Sequence, residues 1–126
     1  MNKPKIYLDT SVPSAYYDQR SDERMQSTRE FWRKVHSHDL FISTLVLDEL
    51  KQVDDKDLRE ILLNLVDQCI VLKAGVKVEH LAAAYIEAGI LPQKYFSDAL
   101  HIAAAVVNGI GFLVSWNFKH FVNVRT

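Results

Sequence analysis

Cysteine is almost missing from this sequence: Cys69 is the only one in 126 residues. No intrachain disulfide can form, and a reducing, cytoplasmic compartment is expected. Cys69 itself is expected to be a small apolar filler in a buried strand. Four glycines and three prolines leave no flexible linker, no repeat and no glycine-rich phosphate loop. No Cys/His set has zinc spacing, and no nucleophile elbow is present. No apolar run reaches the length of a membrane span. A polar start leads directly into a strand candidate, so neither a signal peptide nor membrane attachment is expected. Charge of one sign is also lacking, with 15 basic and 16 acidic residues and a formal net charge of -1. Nothing global attracts nucleic acid, and such binding would need a local patch or a metal ion.

What is present is ordinary for a globular domain, with 48% hydrophobic and 25% charged residues. The length suits one domain over residues 1–126 with a single real core. Strand candidates are Ile6 to Leu8, Leu40 to Ile42, Cys69 to Leu72 and Phe112 to Val114. Helical patterns lie between them. One is capped by Ser21 and carries Met25, Thr28, Phe31, Trp32 and Val35 on a single face. Thr10 and Ser11 are candidate caps for a short helix containing Pro13. Ser43 and Thr44 open a helix from Leu45 to about residue 52, and Asp55 opens one with Leu58, Ile61, Leu62 and Leu65 inward. A helix over residues 78–88 stops at Gly89. The helix after Ser97 is apolar nearly all round and is expected to be the most buried. Strands alternating with helices imply an α/β fold: a small parallel sheet of four or more strands flanked by helices in three layers.

The chemistry-bearing residues are carboxylates placed near strand ends. Asp9 ends the first strand, followed by Thr10 and Ser11. Asp48 and Glu49 point about 100° apart on their helix. Glu49 has Leu45, Val46 and Val53 as neighbours, which puts it on the apolar side. Read alone, Glu49 is a rim residue with a packed stem and a wet head. Asp98 sits in the first turn of the apolar helix, where complementing the dipole alone is worth about 0.3–1 kcal/mol. Ser97 offers that helix a cap, and His101 one turn on either bonds Asp98 or fills the core. In a doubly wound sheet Asp9, Glu49, Asp98 and Asn117 can converge at one end. Clustered carboxylates repel unless a cation lies between them, and oxygen-only ligands select hard ions such as Mg²⁺ or Mn²⁺.

Four stretches carry a family resemblance. They are Tyr7-Leu8-Asp9-Thr10-Ser11, Ser43-Thr44-Leu45-Val46-Leu47-Asp48-Glu49-Leu50, Ser97-Asp98-Ala99-Leu100-His101-Ile102-Ala103, and Leu113-Val114-Ser115-Trp116-Asn117-Phe118-Lys119-His120. Each is loose, but the ordered set spans nearly the whole chain. It resembles the PIN domain, in particular the VapC-like toxins of toxin–antitoxin pairs. The resemblance implies a Mg²⁺- or Mn²⁺-dependent endoribonuclease with Asp9, Glu49 and Asp98 as metal ligands and catalytic acids. Asn117 falls where many members carry a fourth acid. Its amide offers an oxygen but no charge, which implies a weakened second metal site and weakened activity. Relatives usually continue with a further helix or strand, so the family's C-terminal element is expected to be lacking beyond Thr126.

Thr10 and Ser115 are candidates for orienting Asp9 or the scissile phosphate. Lys94, Lys119, His120 and Arg125 are candidates for backbone phosphates, each with a solvated surface as the alternative. The resemblance implies an RNA substrate, an antitoxin partner and a homodimer, with Tyr16, Tyr17, Phe31 and Trp32 as a contact surface or simply as core. The rival reading is a catalytically weak PIN-like module that binds RNA or protein. A phosphotransfer domain with Asp9 as nucleophile fits less well, because no second acid follows two residues after Asp9.

Overall fold

The computed structural model describes residues 4–35 and 39–117. Within them the order is β1 (Ile6–Leu8), α1 (Ser11–Tyr16), α2 (Asp22–Lys34), β2 (Leu40–Ser43), α3 (Thr44–Leu50), α4 (Lys56–Val66), β3 (Ile70–Leu72), α5 (Val76–Glu87), α6 (Phe96–Val107) and β4 (Phe112–Val114). A 3-10 turn, Gln93–Tyr95, leads into α6. The strands form one parallel sheet in the order β3-β2-β1-β4. The fold is α/β, as the alternation of elements predicts.

Side chains alternate across the sheet, and this sorts the core into two layers. Tyr7 faces a layer built from Val78 and Ala82 of α5 and Ala99, Ala103 and Ala104 of α6. Leu8 faces the other side with Val12, Leu40, Ile42, Val46, Leu50, Leu62 and Val66. The alanines on α6 carry little bulk, so this helix can lie close to the sheet. Tyr17, Phe31, Trp32 and Val35 pack as half-buried residues against the second layer.

Helix starts follow their caps. Ser21 accepts from the Arg24 N–H, Ser43 from the Leu45 N–H, and Asp55 from the Leu58 N–H. Gly89 ends the turn after α5 at φ 75°, a conformation glycine adopts without strain.

Several local expectations are corrected. Thr10 occupies the N-cap position of α1 without a side-chain bond to it, and Ser11 lies inside the helix. Their hydroxyls serve carboxylates instead. Ser97 is not a cap either, because α6 begins at Phe96 with Tyr95 at the cap position. Helix α4 buries Leu62 and Val66, while Leu58 and Ile61 are exposed. Rotation of about 100° per residue turns Ile61 away from Leu62, whereas Leu58 shares that face but lies in the helix's first turn. Helix α6 is buried at Ala99, His101 and Ala103 to Ala105, yet Val106 and Val107 are exposed. Apolar character all round therefore did not mean burial all round. Cys69 is buried, but it precedes β3, and β3 is an edge strand with Ile70 and Val71 exposed.

The strand order positions the site. The chain leaves β1 toward β2 and β3, then crosses back to place β4 on the other side of β1. Beyond the carboxyl ends of β1 and β4 lies the crevice where open α/β sheets bind ligands. Asp9 and Ser115 are the first residues past those two strands. The Asp9 N–H donates to the Val114 carbonyl, and Ser115 Oγ donates to Asp9 Oδ2 at 2.6 Å.

Asp9 is 2% exposed, so this bond tests the crossover directly. A double-mutant cycle of Ser115→Ala with Asp9→Asn, read by urea unfolding, is expected to return a coupling of about 1–3 kcal/mol. Cys69 gives a second expectation. Burial pushes its thiol up from the ordinary 9.0 to about 12. Its folded value is raised, so its contribution is complete below about pH 9 and fades as pH rises toward about 12. Melting temperature should fall across that alkaline range, and Cys69→Ala should flatten part of the fall.

Candidate active site at the switch point

Asp9 is held from both sides. Its Oδ1 accepts from the Ser11 N–H at 3.0 Å and from Ser11 Oγ at 2.5 Å. Its Oδ2 accepts from Ser115 Oγ. The Ser11 contacts come from an Asx-type turn, in which Asp bonds the chain two residues on. Ser11 Oγ also accepts from the Trp116 N–H at 2.9 Å, and Ser115 Oγ from the Asn117 N–H at 2.9 Å. The start of α1 and the exit of β4 are thus laced together through one carboxylate.

Glu49 is held in a different way. Helix α3 follows β2 directly and brings Glu49 to the same end of the sheet. Thr10 Oγ1 donates to Glu49 Oε1 at 2.6 Å, and His101 Nε2 lies 2.7 Å from the same oxygen. Partial burial raises the Glu49 carboxyl, but hydrogen bonds from His101, Thr10 and Ser97 outweigh it and hold it below the ordinary glutamate value. Adjacent residues Asp9 and Thr10 therefore tie the β1 exit to two different carboxylate environments.

Behind Glu49 is a buried polar chain. His101 Nδ1 lies 2.8 Å from the Tyr7 hydroxyl, which lies 2.8 Å from Ser43 Oγ. Tyr7 and Ser43 are fully buried, and His101 is 3% exposed. Burial holds the Tyr7 phenol far above its ordinary range. His101 is buried, as one of its two readings expected, and its ring nitrogens are engaged by Glu49 and Tyr7.

Asp98 sits half-buried in the first turn of α6, beside the Ser97 that reaches Glu49. Asn117 is exposed, tied to the site through its backbone. Lys94 is exposed with Nζ 5.2 Å from the Tyr95 ring centre, so it reaches along its own turn. Lys119, His120 and Arg125 lie outside the described residues. Thr10 and Ser115 thus both bond candidate acids. The site's further members are Ser11, Ser97 and the Tyr7–Ser43 pair. The Asp-x-Ser spacing signals Ser11. Nothing local in the sequence signals that Tyr7 and Ser43 meet, because they come together only through strand pairing.

The donors fit a hard cation in kind, being carboxylate and hydroxyl oxygens. Among the described residues no group of three or more His, Cys, Asp or Glu is drawn together closely enough to hold an ion. Asp9 and Glu49 are braced separately, by Ser11 and Ser115 and by Thr10 and His101. Among the described residues no helix is long and apolar enough to cross a membrane.

A search of curated proteins finds no match to this chain. Among solved structures it is similar to VapC20 of Mycobacterium tuberculosis, described as a toxin that cleaves the sarcin–ricin loop. The TM-score is 0.75 at 19% identity, covering 96% of this chain and 95% of that one. FitAcB from Neisseria gonorrhoeae gives 0.67 at 16% identity, covering 94% and 92%. DNA-bound VapBC from Salmonella typhimurium gives 0.62 at 16% identity, covering 98% and 94%. These identities speak to fold alone. The family profile of the PIN domain matches residues 6–121, a span that runs from β1 past β4 and includes every acid of the crevice. The chain belongs to the PIN domain family.

Proposed function

We propose that this chain is a Mg²⁺- or Mn²⁺-dependent endoribonuclease, acting in the cytoplasm as the toxin of a toxin–antitoxin pair. The observation that carries the reading is the placement of Asp9 at the β1–β4 switch point, with Glu49 bonded to its neighbour Thr10. Family membership and the fold shared with VapC20 support it. Asp9, Glu49 and Asp98 would hold the ion. When bound, such an ion lowers the pKa of a water and polarises a phosphate.

The chain's own residues do the positioning. Ser11 and Ser115 fix both oxygens of Asp9. Thr10 donates to Glu49 Oε1 and ties that carboxylate to the β1 exit. One of the same carboxylates, acting through water, serves as acid or base. Asn117 orients water or substrate through its amide. Lys94 and Lys119 contact backbone phosphates. An antitoxin would cover the crevice with a basic group that pairs with these acids, and the toxin itself would be a homodimer.

A second reading has a specific observation behind it. Asn117 brings no charge where a fourth acid would, and the described acids form no closed ligand group. That favours a weak catalyst acting as an RNA- or protein-binding module.

RNA cleavage assays separate the two. Cleavage is expected with Mn²⁺ and should be lost on chelation. Asp98→Asn should reduce it by more than the roughly 10–100-fold that loss of a supporting residue costs at a metal site. Asn117→Asp should raise it, because a carboxylate adds charge to the cation site. Cleavage that ignores chelation, or equal cleavage by the parent and Asp98→Asn, would exclude the metal mechanism. No cleavage together with no Mn²⁺ binding in calorimetry would favour the binding module.

A further inference from the structure

We infer that Tyr7 and His101 form a positioning relay that fixes the Glu49 carboxylate from inside the core. The inference rests on the reading of Glu49 as a functional acid. It assigns two residues that no part of that reading requires.

Donor accounting gives the relay a direction. Ser43 Oγ already accepts from the Leu45 N–H at 3.2 Å. A hydroxyl has one proton to give, and Ser43 is fully buried. If that proton goes to the Tyr7 oxygen, Tyr7 donates its own to His101 Nδ1. His101 then carries its proton on Nε2 and donates it to Glu49 Oε1. Every buried group is satisfied in this direction. In the reverse direction Tyr7 donates to Ser43, and none of the bonds around Ser43 receives its proton. An unsatisfied buried hydroxyl costs about 1–3 kcal/mol, which decides between the two.

The relay closes a loop through the fold. Ser43 caps α3, and α3 carries Glu49 in its second turn. From Ser43 the bonds pass to β1 through Tyr7, to α6 through His101, and back to α3 at Glu49. The Glu49 side chain is 41% exposed, whereas that of His101 is 4% exposed. A long, half-exposed side chain is therefore held by a donor that packing has already immobilised. Thr10 and His101 both engage Oε1, so the carboxylate is oriented as a unit and not simply tethered. Outer partners of this kind fix ligand geometry at metal sites. Glu49, whose carboxylate can only accept, sets the His101 proton on Nε2, and Tyr7 supplies the matching donor to Nδ1.

Ring-nitrogen NMR on the full chain at pH 8 tests the relay without any variant. The expected result is a His101 ring protonated on Nε2 and bare on Nδ1. Protonation on Nδ1 would overturn the inference. Tyr7→Phe should shift the Nδ1 signal, because Nδ1 loses its donor, while Glu49 keeps the proton on Nε2, and an unchanged Nδ1 signal in that variant would equally overturn it. In parallel, calorimetry with Mn²⁺ should show affinity reduced about 10–100-fold in His101→Ala. Substantial recovery is expected in His101→Gln, whose amide both donates and accepts. Full affinity in a folded His101→Ala would count against the relay. Should the parent bind no Mn²⁺, the metal reading fails by itself, and the ring signals alone decide the relay.

Discussion

The parallel pairing of β1 with β2 on one side and β4 on the other is the constraint on which the rest depends. It sets β1 in the middle of the sheet and makes its carboxyl end the place where two crossovers diverge. Tyr7, Leu8 and Asp9 then each have one available surrounding. Tyr7 points into the α5–α6 layer, Leu8 into the α1–α4 layer, and Asp9 is held between Ser11 and Ser115. Three consecutive residues thereby supply a relay, a core anchor and a candidate ligand.

A buried carboxylate is costly unless hydrogen bonds replace its lost water. At Asp9 that replacement comes from two serines on separate elements, so the same bonds that make the charge tolerable also lock α1 to β4. At Glu49 it comes from a threonine on the β1 exit and a histidine on α6. Stability and site geometry are served by the same contacts. The acids themselves remain spread around the crevice instead of forming a closed group among the described residues, an arrangement in which mutual repulsion is limited.

Much of this was legible in the sequence because it is periodic or local. Alternating strands and helices predicted the parallel sheet, and Ser21, Ser43 and Asp55 predicted helix starts. Asp9, Glu49 and Asp98 stood out by their positions beside apolar elements. What was not legible depends on partners far apart in the chain. Ser97 looked like a cap until α6 was seen to begin at Phe96 and the serine to face Glu49. His101 had two local readings, and the actual partner Tyr7 is 94 residues away. Exposure at Ile61, Ile70 and Val106 was hidden for a related reason. Apolar content reports what can be buried, while edge position and helix rotation decide what is.

In the proposed function Asp9, Glu49 and Asp98 serve one hard cation. The most direct measurement is a crystal structure of the chain soaked in Mn²⁺, with the ion located by its anomalous scattering. A single strong peak is expected within ligand distance of carboxylate oxygens from all three residues. A peak bound elsewhere on the surface, or none in the crevice at saturating Mn²⁺, would contradict it.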